Sequence, residues 1–230
     1  MPYAFLPEVA RPSVTVDMLV FTLLEGALSL LLVERGLPPF EGRLALPGGF
    51  LHVGPGGQGG EDLDLAAARE LVEETGLDRS HVVLRQLGAF GAPGRDPRGR
   101  TITVAYLALV RPEAVSAVKA GSDAAAARWA RVDALDLDAL AFDHGRIVRA
   151  ALGRLRHDVD REGAALALVP ARFTASELRA VHEAIHGRRL DAPNFNRHLR
   201  RLQDEGVIEP AAGQRATGRR PARLFRAAQR

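Results

Sequence analysis

The first part of the chain alternates between short apolar runs and stretches rich in glycine and proline. The apolar runs are rich in β-branched residues or alternate apolar with polar positions, which predicts β-strands. The predicted strands are Ser13 to Leu24, Ala27 to Val33, Val82 to Phe90, Thr101 to Val110 and Arg128 to Val132. The first two meet at Glu25-Gly26 and predict a hairpin. A helix is predicted from about Leu63 to Thr75, so the pattern indicates an α/β fold.

Helical spacing dominates from residue 143 onward. Asp143 is expected to cap a helix from about His144 to His157, which has apolar residues every three or four positions along one face. This helix is predicted to close a first domain, residues 1–157. A short charged stretch, Asp158 to Gly163, then leads into a second domain, residues 158–230.

The second domain has clear helix boundaries in its sequence. Thr174 and Glu177 have the spacing of a capping box that begins a helix, and Gly187 is expected to end it. Asp191 is expected to cap a second helix, which stops at Gly206. Two short strands are predicted after it, Val207-Ile208 and Leu224-Phe225. Helix, turn, helix and hairpin in this order are the layout of a winged helix.

Composition and charge narrow the possible classes of protein. The 230 residues are 47% hydrophobic and 26% charged, as in ordinary globular proteins, and the lack of cysteine excludes disulfides and thiolate metal sites. The N-terminus has no signal-peptide pattern and the apolar stretch Met18 to Val33 is too short for a membrane span, so we expect a cytoplasmic protein. Residues 158–230 hold 14 arginines against 9 acidic residues, a formal charge of +5. This excess favours a second domain that binds nucleic acid.

Within the predicted first helix, the segment from Arg69 to Leu77 carries three glutamates, Glu70, Glu73 and Glu74. On a helix, spacing of i, i+3 and i+4 places the carboxylates within a sector about 100° wide. Like charges this close repel each other, and a hard divalent cation such as Mg²⁺ or Mn²⁺ is the expected reason for the cluster. A solvated acidic helix face is the alternative.

The same segment resembles the second half of the Nudix box, GX5EX7REUXEEXGU with U apolar, and Glu61 stands at the first glutamate of the box. The turn Leu46 to Phe50 resembles the opening glycines, but eleven residues instead of five separate Gly49 from Glu61. The excess of six is expected to form a loop insertion within Gly54 to Gly60. The resemblance implies an α/β/α sandwich that binds a nucleotide pyrophosphate through a metal ion.

Candidate site residues follow from this resemblance. The three glutamates are expected to hold the metal and to take part in any catalysis, while Arg69 is expected to orient a neighbouring carboxylate. Gly48 and Gly49 are expected to let the backbone approach the metal site closely. Loop arginines are weaker candidates for contacts with phosphate: Arg35, Arg43, Arg95 and Arg98.

The second predicted helix of the basic domain presents polar residues outside its apolar stripe. Asn can pair with adenine and Arg with guanine in the major groove of DNA. The candidates for reading bases are Asn194, Asn196, Arg197, Arg200 and Arg201. The hairpin loop adds Arg219 and Arg220, which suit contacts with phosphate or the minor groove. A solvated helix followed by a flexible basic tail is the alternative.

Over the whole chain, the sequence resembles the Nudix-related transcriptional regulators of NAD metabolism, the NrtR type. Beyond the Nudix box, the resemblance rests on FTASELRAVHEAIHGRRLDAPNFNRHL, GRRPARLFR, GSDAAAARW, LAFDH and a DPRGR segment before a strand. It implies a dimeric repressor of NAD-biosynthesis genes that binds double-stranded operator DNA and releases it on binding ADP-ribose or a related nucleotide. Many members have lost hydrolysis, usually with a degraded Nudix box, but this chain retains the carboxylates.

Two other functions stay open at this point. One is a catalytic, Mg²⁺-dependent ADP-ribose pyrophosphatase whose basic domain only mediates assembly. The other is a dimerisation protein built on an inactive Nudix fold. The Asn/Arg face of the second helix argues against the first, and the complete set of glutamates argues against the second.

Overall fold

A mixed β-sheet forms the centre of the N-terminal part of the molecule in a computed structural model. The structure describes residues 11–55, 59–77, 82–117, 124–161, 163–216 and 221–228. Within them the strands of this sheet are β1 (Ser13–Leu24), β2 (Ala27–Arg35), β3 (Leu44–Ala45), β4 (Gly48–Phe50), β5 (Val82–Phe90), β6 (Thr101–Val110) and β7 (Ala124–Arg131). The main order is β3-β2-β1-β6-β5, while β4 pairs with β1 and β7 with β2. The β1–β6 pair is parallel and the other pairs are antiparallel.

Two helices cover opposite faces of this sheet. Successive side chains of a strand point to opposite faces, so β1 can serve both. Met18 packs in the apolar cluster of α1 (Leu63–Thr75), and Phe21 packs in the cluster of α2 (His144–Arg161). Both side chains are fully buried. The result is the predicted α/β/α sandwich.

The ends of α1 follow local chemical signals. Asp62 caps the N-terminus, where its carboxylate accepts a hydrogen bond from the backbone N–H of Leu65 at 2.9 Å. Gly76 ends the helix with a left-handed φ of 70°, a conformation that costs glycine little because it has no side chain. The predicted bounds of this helix are confirmed, and its three glutamates share the predicted sector.

The C-terminal part folds as the predicted winged helix. Its described elements are β8 (Phe173–Thr174), α3 (Ala175–His186), α4 (Ala192–Asp204), β9 (Ile208–Ala216) and β10 (Pro221–Ala227), with strand order β8-β10-β9. Thr174 and Glu177 make both hydrogen bonds of the capping box, and the carboxylate of Asp191 caps α4. Both hairpin strands are longer than predicted, because backbone pairing continues past the apolar residues that the sequence pattern detects.

Helix α2 extends to Arg161, beyond its predicted end at His157. Val159, in the added turn, is buried in an apolar core that continues to Phe173 and Leu178 of the winged helix. The division into domains after residue 157 stays a prediction, and one continuous helix crosses it. Neither α2 nor any other helix in the part of the chain that the structure describes is long and apolar enough to cross a membrane.

Candidate functional site

One guanidinium group organises the carboxylates of α1. Nη1 of Arg69 donates to Oε1 of Glu70 and to Oε2 of Glu73, both at 2.8 Å. Its Nε and Nη2 donate to the two carboxylate oxygens of Glu61 at 3.0 and 2.6 Å. Nη2 also donates to the carbonyl of Phe50 at 3.1 Å. Arg69 therefore orients three carboxylates at once, an arrangement that a merely solvated acidic helix face does not need.

The pKa values of two glutamates in this network are shifted in opposite directions. The hydrogen bonds from Arg69 lower the pKa of Glu61 to about 2. Burial raises the pKa of Glu70 above its ordinary value, against the opposing effect of Arg69, and Glu70 is only 6% exposed. Glu61 thus stays ionised as an anchor for Arg69, whereas Glu70 is a poorly solvated carboxylate that a further cation would stabilise.

Gly48 and Gly49 bring the backbone against the sheet and against α1. A Cβ atom at Gly49 would lie 2.1 Å from Oε1 of Glu70, and one at Gly48 would lie 2.1 Å from the carbonyl oxygen of Val16. Carbon atoms do not approach oxygen so closely, so Gly48, which faces backbone, requires glycine, whereas a side chain at Gly49 would displace the Glu70 carboxylate. The sequence predicts that the backbone at these glycines approaches the metal site closely. At Gly49 the backbone lies against the carboxylate of Glu70.

The six-residue insertion is closed off at its base. Val53 and Gly60, on either side of it, form an isolated antiparallel bridge, and residues 56–58 between them lie outside the described residues. On the inner side of the bridge, the backbone N–H of Glu61 donates to the carbonyl of His52 at 3.1 Å, and the N–H of His52 donates to Oε1 of Glu61 at 2.8 Å. Without residues 54–59, five residues would separate Gly49 from Glu61. The insertion therefore leaves Glu61 and Arg69 in mutual contact.

A cavity of about 150 Å³ opens beside the two glycines. The predicted ligand residues that line it are Arg35, Gly48, Gly49, Arg95 and Arg98. The structure thus brings together five of the six candidates, although their spread in the sequence exceeds 60 residues. Arg43 does not line the cavity, and its guanidinium carbon lies 5.6 Å from the ring centre of Phe40.

Aromatic rings hold two of these arginines at the cavity wall. The guanidinium carbon of Arg98 lies 5.2 Å from the ring centre of Phe50 and 5.4 Å from that of Phe142. The guanidinium carbon of Arg35 lies 4.7 Å from the ring centre of Phe142. Nη2 of Arg98 also donates to the buried carboxylate of Asp96 at 2.8 Å. The guanidinium groups can bind the phosphates of a nucleotide, and the aromatic rings beside them can stack on its base.

A buried network beside the cavity includes residues that the sequence analysis missed. Nη2 of Arg95, a residue only 8% exposed, lies 3.3 Å from Asp17 and 2.8 Å from Asp143. Asp143 precedes α2, as predicted for its cap, and its carboxylate binds Arg95. Nδ1 of His144 accepts the backbone N–H of Leu46 at 2.9 Å, and burial lowers the pKa of His144. Two carboxylates already balance Arg95, so Arg35 and Arg98 are the better candidates for contacts with phosphate.

The polar face of α4 is open to solvent. Phe195 and Leu199 are buried on its inner face. The exposed residues include all five that the sequence proposes as base readers: Asn194, Asn196, Arg197, Arg200 and Arg201. Arg219 and Arg220 lie outside the described residues.

Contacts within the helix distinguish the arginines of α4. Arg197 donates a hydrogen bond to Asn194 on the same exposed surface. Arg201 instead lies 3.8 Å from a carboxylate oxygen of Glu205 and 3.2 Å from Nδ1 of His198. The guanidinium of Arg201 is therefore engaged by residues of its own helix end, His198 and Glu205.

Comparisons with known proteins agree with both halves of this description. The model of the NUDIX domain matches residues 13–151, and the model of the NrtR DNA-binding winged helix domain matches residues 165–227. The ADPR responsive transcriptional repressor NtrR of Acinetobacter baylyi is 35% identical over 216 residues, which cover 94% of this chain and 82% of that protein. The ADP-ribose pyrophosphatase of Methanocaldococcus jannaschii is 38% identical over 140 residues, 60% of this chain and 72% of that protein.

A solved structure extends the likeness to the whole chain. The crystal structure of Shewanella oneidensis NrtR complexed with a 27mer DNA superposes with a TM-score of 0.74 at 30% identity, covering 93% of each chain. Fold, site and matches define a class of protein, a Nudix domain fused to a winged-helix DNA-binding domain. Within that class, the chain belongs to the NrtR-type family of Nudix-related transcriptional regulators.

Proposed function

We propose that this protein is a transcriptional repressor of NAD-metabolism genes that releases its operator DNA on binding ADP-ribose or a related nucleotide. The observation that carries the proposal is the presence, in one chain, of an arginine- and phenylalanine-lined cavity and an exposed Asn/Arg recognition helix. The 35% identity to an ADPR responsive repressor along nearly the whole chain supports the same function. A repressor of this kind acts in the cytoplasm, where its DNA is found.

The carboxylates of α1 fit a divalent cation, Mg²⁺ or Mn²⁺. Glu70, Glu73 and Glu74 offer hard oxygen ligands on one sector of the helix, and the burial of Glu70 against Gly49 favours a cation there. When bound, such an ion neutralises pyrophosphate charge and polarises the phosphoryl oxygens. Arg69 holds two of the glutamates in place, and we propose that Arg35 and Arg98, which line the cavity, contact the phosphates.

On the DNA side, we propose that α4 enters the major groove. Arg197 and Arg200 project from the face opposite the buried stripe and Asn196 from the side of the helix, and all three are exposed, so they can reach base edges or phosphates. We further propose that the protein binds as a homodimer, since a two-fold dimer places two recognition helices on a pseudo-palindromic site. Arg219 and Arg220 are proposed to contact the backbone or minor groove from the hairpin.

The test is a DNA shift assay with the full chain and its own upstream DNA, with and without ADP-ribose. ADP-ribose should weaken DNA binding about 5- to 150-fold, which is the range of typical coupling free energies. Because linkage is reciprocal, DNA should weaken ADP-ribose binding by the same factor. A non-hydrolysable analogue of ADP-ribose should act equally well. If saturating ADP-ribose and the analogue both leave the DNA dissociation constant unchanged at fixed salt, the sensor proposal is wrong.

Hydrolysis of ADP-ribose is the second candidate function. It is favoured by the intact network around Arg69 and by the closed base of the insertion, which leaves that network in place. The similarity to an ADP-ribose pyrophosphatase points the same way. The reaction would be in-line attack of water on a pyrophosphate phosphorus, breaking the bridging P–O bond and giving AMP and ribose 5-phosphate.

Chromatography of the products separates this activity from sensing. Wild-type protein with ADP-ribose and Mg²⁺ should release AMP, and the double variant Glu73→Gln/Glu74→Gln should release none. In the wild-type protein, the non-hydrolysable analogue should still release DNA without forming AMP, because release needs binding alone. Wild-type protein that forms no AMP with Mg²⁺ or Mn²⁺ would exclude the hydrolase and leave the repressor untouched.

A further inference from the structure

A cluster of imidazole and carboxylate groups lies where the end of α2 meets the winged helix. Nε2 of His186 lies 3.1 Å from Oδ1 of Asp160, and Nδ1 of His182 lies 3.7 Å from the same oxygen. One potential ligand atom from each residue lies within 4.8 Å of the other two. None of the three residues belongs to the nucleotide site or to the exposed face of α4.

The two histidines have a spacing that is typical of helical zinc ligands. His182 and His186 lie four positions apart on α3, so their rings stand on one face with centres 6.4 Å apart. The segment from His182 to His186 reads H-E-x-x-H, in which such a pair binds zinc on a helix. Asp160 adds a third ligand from a different helix, which a sequence motif alone does not reveal.

The geometry is close to that of a bound ion. With metal–ligand bonds of about 2.0–2.1 Å, a tetrahedral zinc ion has ligand atoms about 3.3 Å apart. The two separations from Asp160, 3.1 and 3.7 Å, lie on either side of this value, and the ligand atoms of the two histidines lie within 4.8 Å of each other, so a small adjustment of the side chains would bring all three onto one ion. Asp160 is exposed, with a side chain 57% accessible, and it borders an open cavity of about 380 Å³ together with His182. An ion can therefore reach the cluster, and a water molecule can complete its coordination.

The electrostatic state of His182 suits a metal ligand. Burial, helped by the nearby His198, lowers the pKa of His182 to about 4. The imidazole is therefore neutral at neutral pH, and a neutral imidazole has the lone pair that binds a metal. The ring of His198, on α4, lies 5.2 Å from that of His182, so the recognition helix is directly next to the cluster.

The glutamate within the motif does not complete a peptidase site. In metallopeptidases with this motif it acts as general base. Here Oε1 of Glu183 accepts the backbone N–H of Leu190 at 2.9 Å, and the carboxylate lies 3.6 Å from both Arg179 and Arg189. These contacts engage Glu183 at the end of α3. The role that we assign to the cluster is therefore binding of a metal ion and not catalysis.

We propose that Asp160, His182 and His186 form a binding site for a divalent transition-metal ion, with zinc as its occupant. The site joins α2, which covers the Nudix sheet, to α3 of the winged helix. Nitrogen and carboxylate ligands in a set of three suit zinc, which accepts water as a fourth ligand. A bound ion would fix the winged helix against the first domain and stabilise the folded chain.

The test is calorimetric titration of the untagged full chain with ZnCl₂, in buffer that contains saturating Mg²⁺. One zinc ion should bind per chain, and Asp160→Asn or His186→Gln should weaken binding about 100-fold or more, since each removes one of three ligands. His157→Gln, an exposed histidine of α2, is the matched control and should bind as wild type does. The variant Glu73→Gln/Glu74→Gln should also retain zinc binding, which separates this site from the carboxylates of α1.

A second measurement uses wild-type protein and does not depend on the variants folding. Zinc should shift the imidazole ¹⁵N resonances of two histidines in NMR spectra, and Co²⁺ should give the visible absorption of a tetrahedral complex. Wild-type protein that binds no zinc would overturn the proposal. Equal zinc affinity in wild type, folded Asp160→Asn and folded His186→Gln would also overturn it, because binding would then occur elsewhere on the surface.

Discussion

The carboxylate site of α1 and the exposed face of α4 use charged residues in opposite ways. Arg69 donates to three carboxylates and a carbonyl, and its side chain is only 20% exposed. Arg200 of α4 is exposed and makes no hydrogen bond or ion pair recorded among the described residues. The first region is ordered before any ligand arrives, whereas the second must order its side chains when DNA binds. A small ligand thus meets a fixed site, and a long polymer meets an adaptable surface.

Among the variants that test this difference between the two regions, we expect the largest effect on stability from Arg69→Ala. It leaves the buried Glu70 carboxylate without its partner, so the free energy of unfolding should fall by about 3 kcal/mol. Metal-dependent binding of ADP-ribose should weaken as well. Urea unfolding measures the first effect and calorimetry the second.

Arg131→Ala is the control for that variant. Arg131 pairs with Asp133, but both side chains are more than 60% exposed, so its loss should lower the free energy of unfolding far less than the loss of Arg69. Equal destabilisation by the two variants would mean that the α1 network is no more ordered than a surface ion pair.

On α4, Arg197→Ala and Arg200→Ala should each weaken operator binding by about 1–3 kcal/mol if they read a base edge. If either contacts only phosphate, the salt dependence of binding should decrease by about one unit of slope. Arg201→Ala should have the smaller effect, because its guanidinium contacts His198 and Glu205. Fluorescence anisotropy at several salt concentrations measures all three.

An unchanged dissociation constant and salt slope in both Arg197→Ala and Arg200→Ala would refute the recognition-helix assignment. A larger loss in Arg201→Ala than in Arg200→Ala would instead shift the DNA-binding face toward the side of α4 that holds His198.

Thr174→Ala tests whether the winged helix can be weakened without affecting the nucleotide site. It removes the capping-box hydrogen bond that the backbone N–H of Glu177 donates to Oγ1 of Thr174, and also the bond that Oγ1 donates to the Glu177 carboxylate, which should cost about 1 kcal/mol of stability. Thr174→Ser keeps the oxygen and should lose much less. ADP-ribose affinity, measured by calorimetry, should be the same in both variants; a loss of affinity in Thr174→Ala alone would show that the two regions are not independent.

The smallest expected effect is a pH dependence that arises next to the cavity. Burial lowers the pKa of His144 below 6.5, so the unfolded chain binds a proton more readily than the folded chain. The free energy of unfolding should therefore fall as the pH is lowered below about 6.5. In His144→Asn, whose amide oxygen can replace Nδ1 as acceptor, this fall should be shallower. Identical slopes in thermal unfolding of the two proteins would exclude His144 as a source.

Features set by neighbouring residues could be predicted from the sequence. The bounds of α1, the capping box at Thr174 and the cap at Asp191 depend on contacts between residues three or four positions apart. The position of the insertion stays a prediction, which follows from the fixed spacing of the motif on both sides and which the bridge between Val53 and Gly60 supports. The family resemblance, fold and two-part architecture are confirmed for the same reason, since motifs mark both parts.

Features set by distant residues could not be predicted. Arg95 and Asp17 are 78 positions apart, and Leu46 and His144 are 98 apart, so only the fold brings them together. One signal was available, because Asp17 is an acidic residue within the apolar strand β1. The short strand β8 and the last turn of α2 were missed because their stability comes from pairing and packing with remote elements, and not from local pattern.

Helix α2 has a mechanical consequence. Its 18 residues make a rod about 27 Å long, and a tilt of about 5° at one end would displace the other by about 2 Å. Asp143, just before the first turn, pairs with Arg95 in the nucleotide cavity, and Asp160 in the last turn contacts His186 of the winged helix. A ligand in the cavity that shifts the Arg95–Asp143 pair would therefore tilt α2 from its first turn. The opposite end of α2 would then move the winged helix by about 2 Å, a distance comparable to the length of a hydrogen bond. A shift of this size would disturb the contacts of the winged helix with DNA.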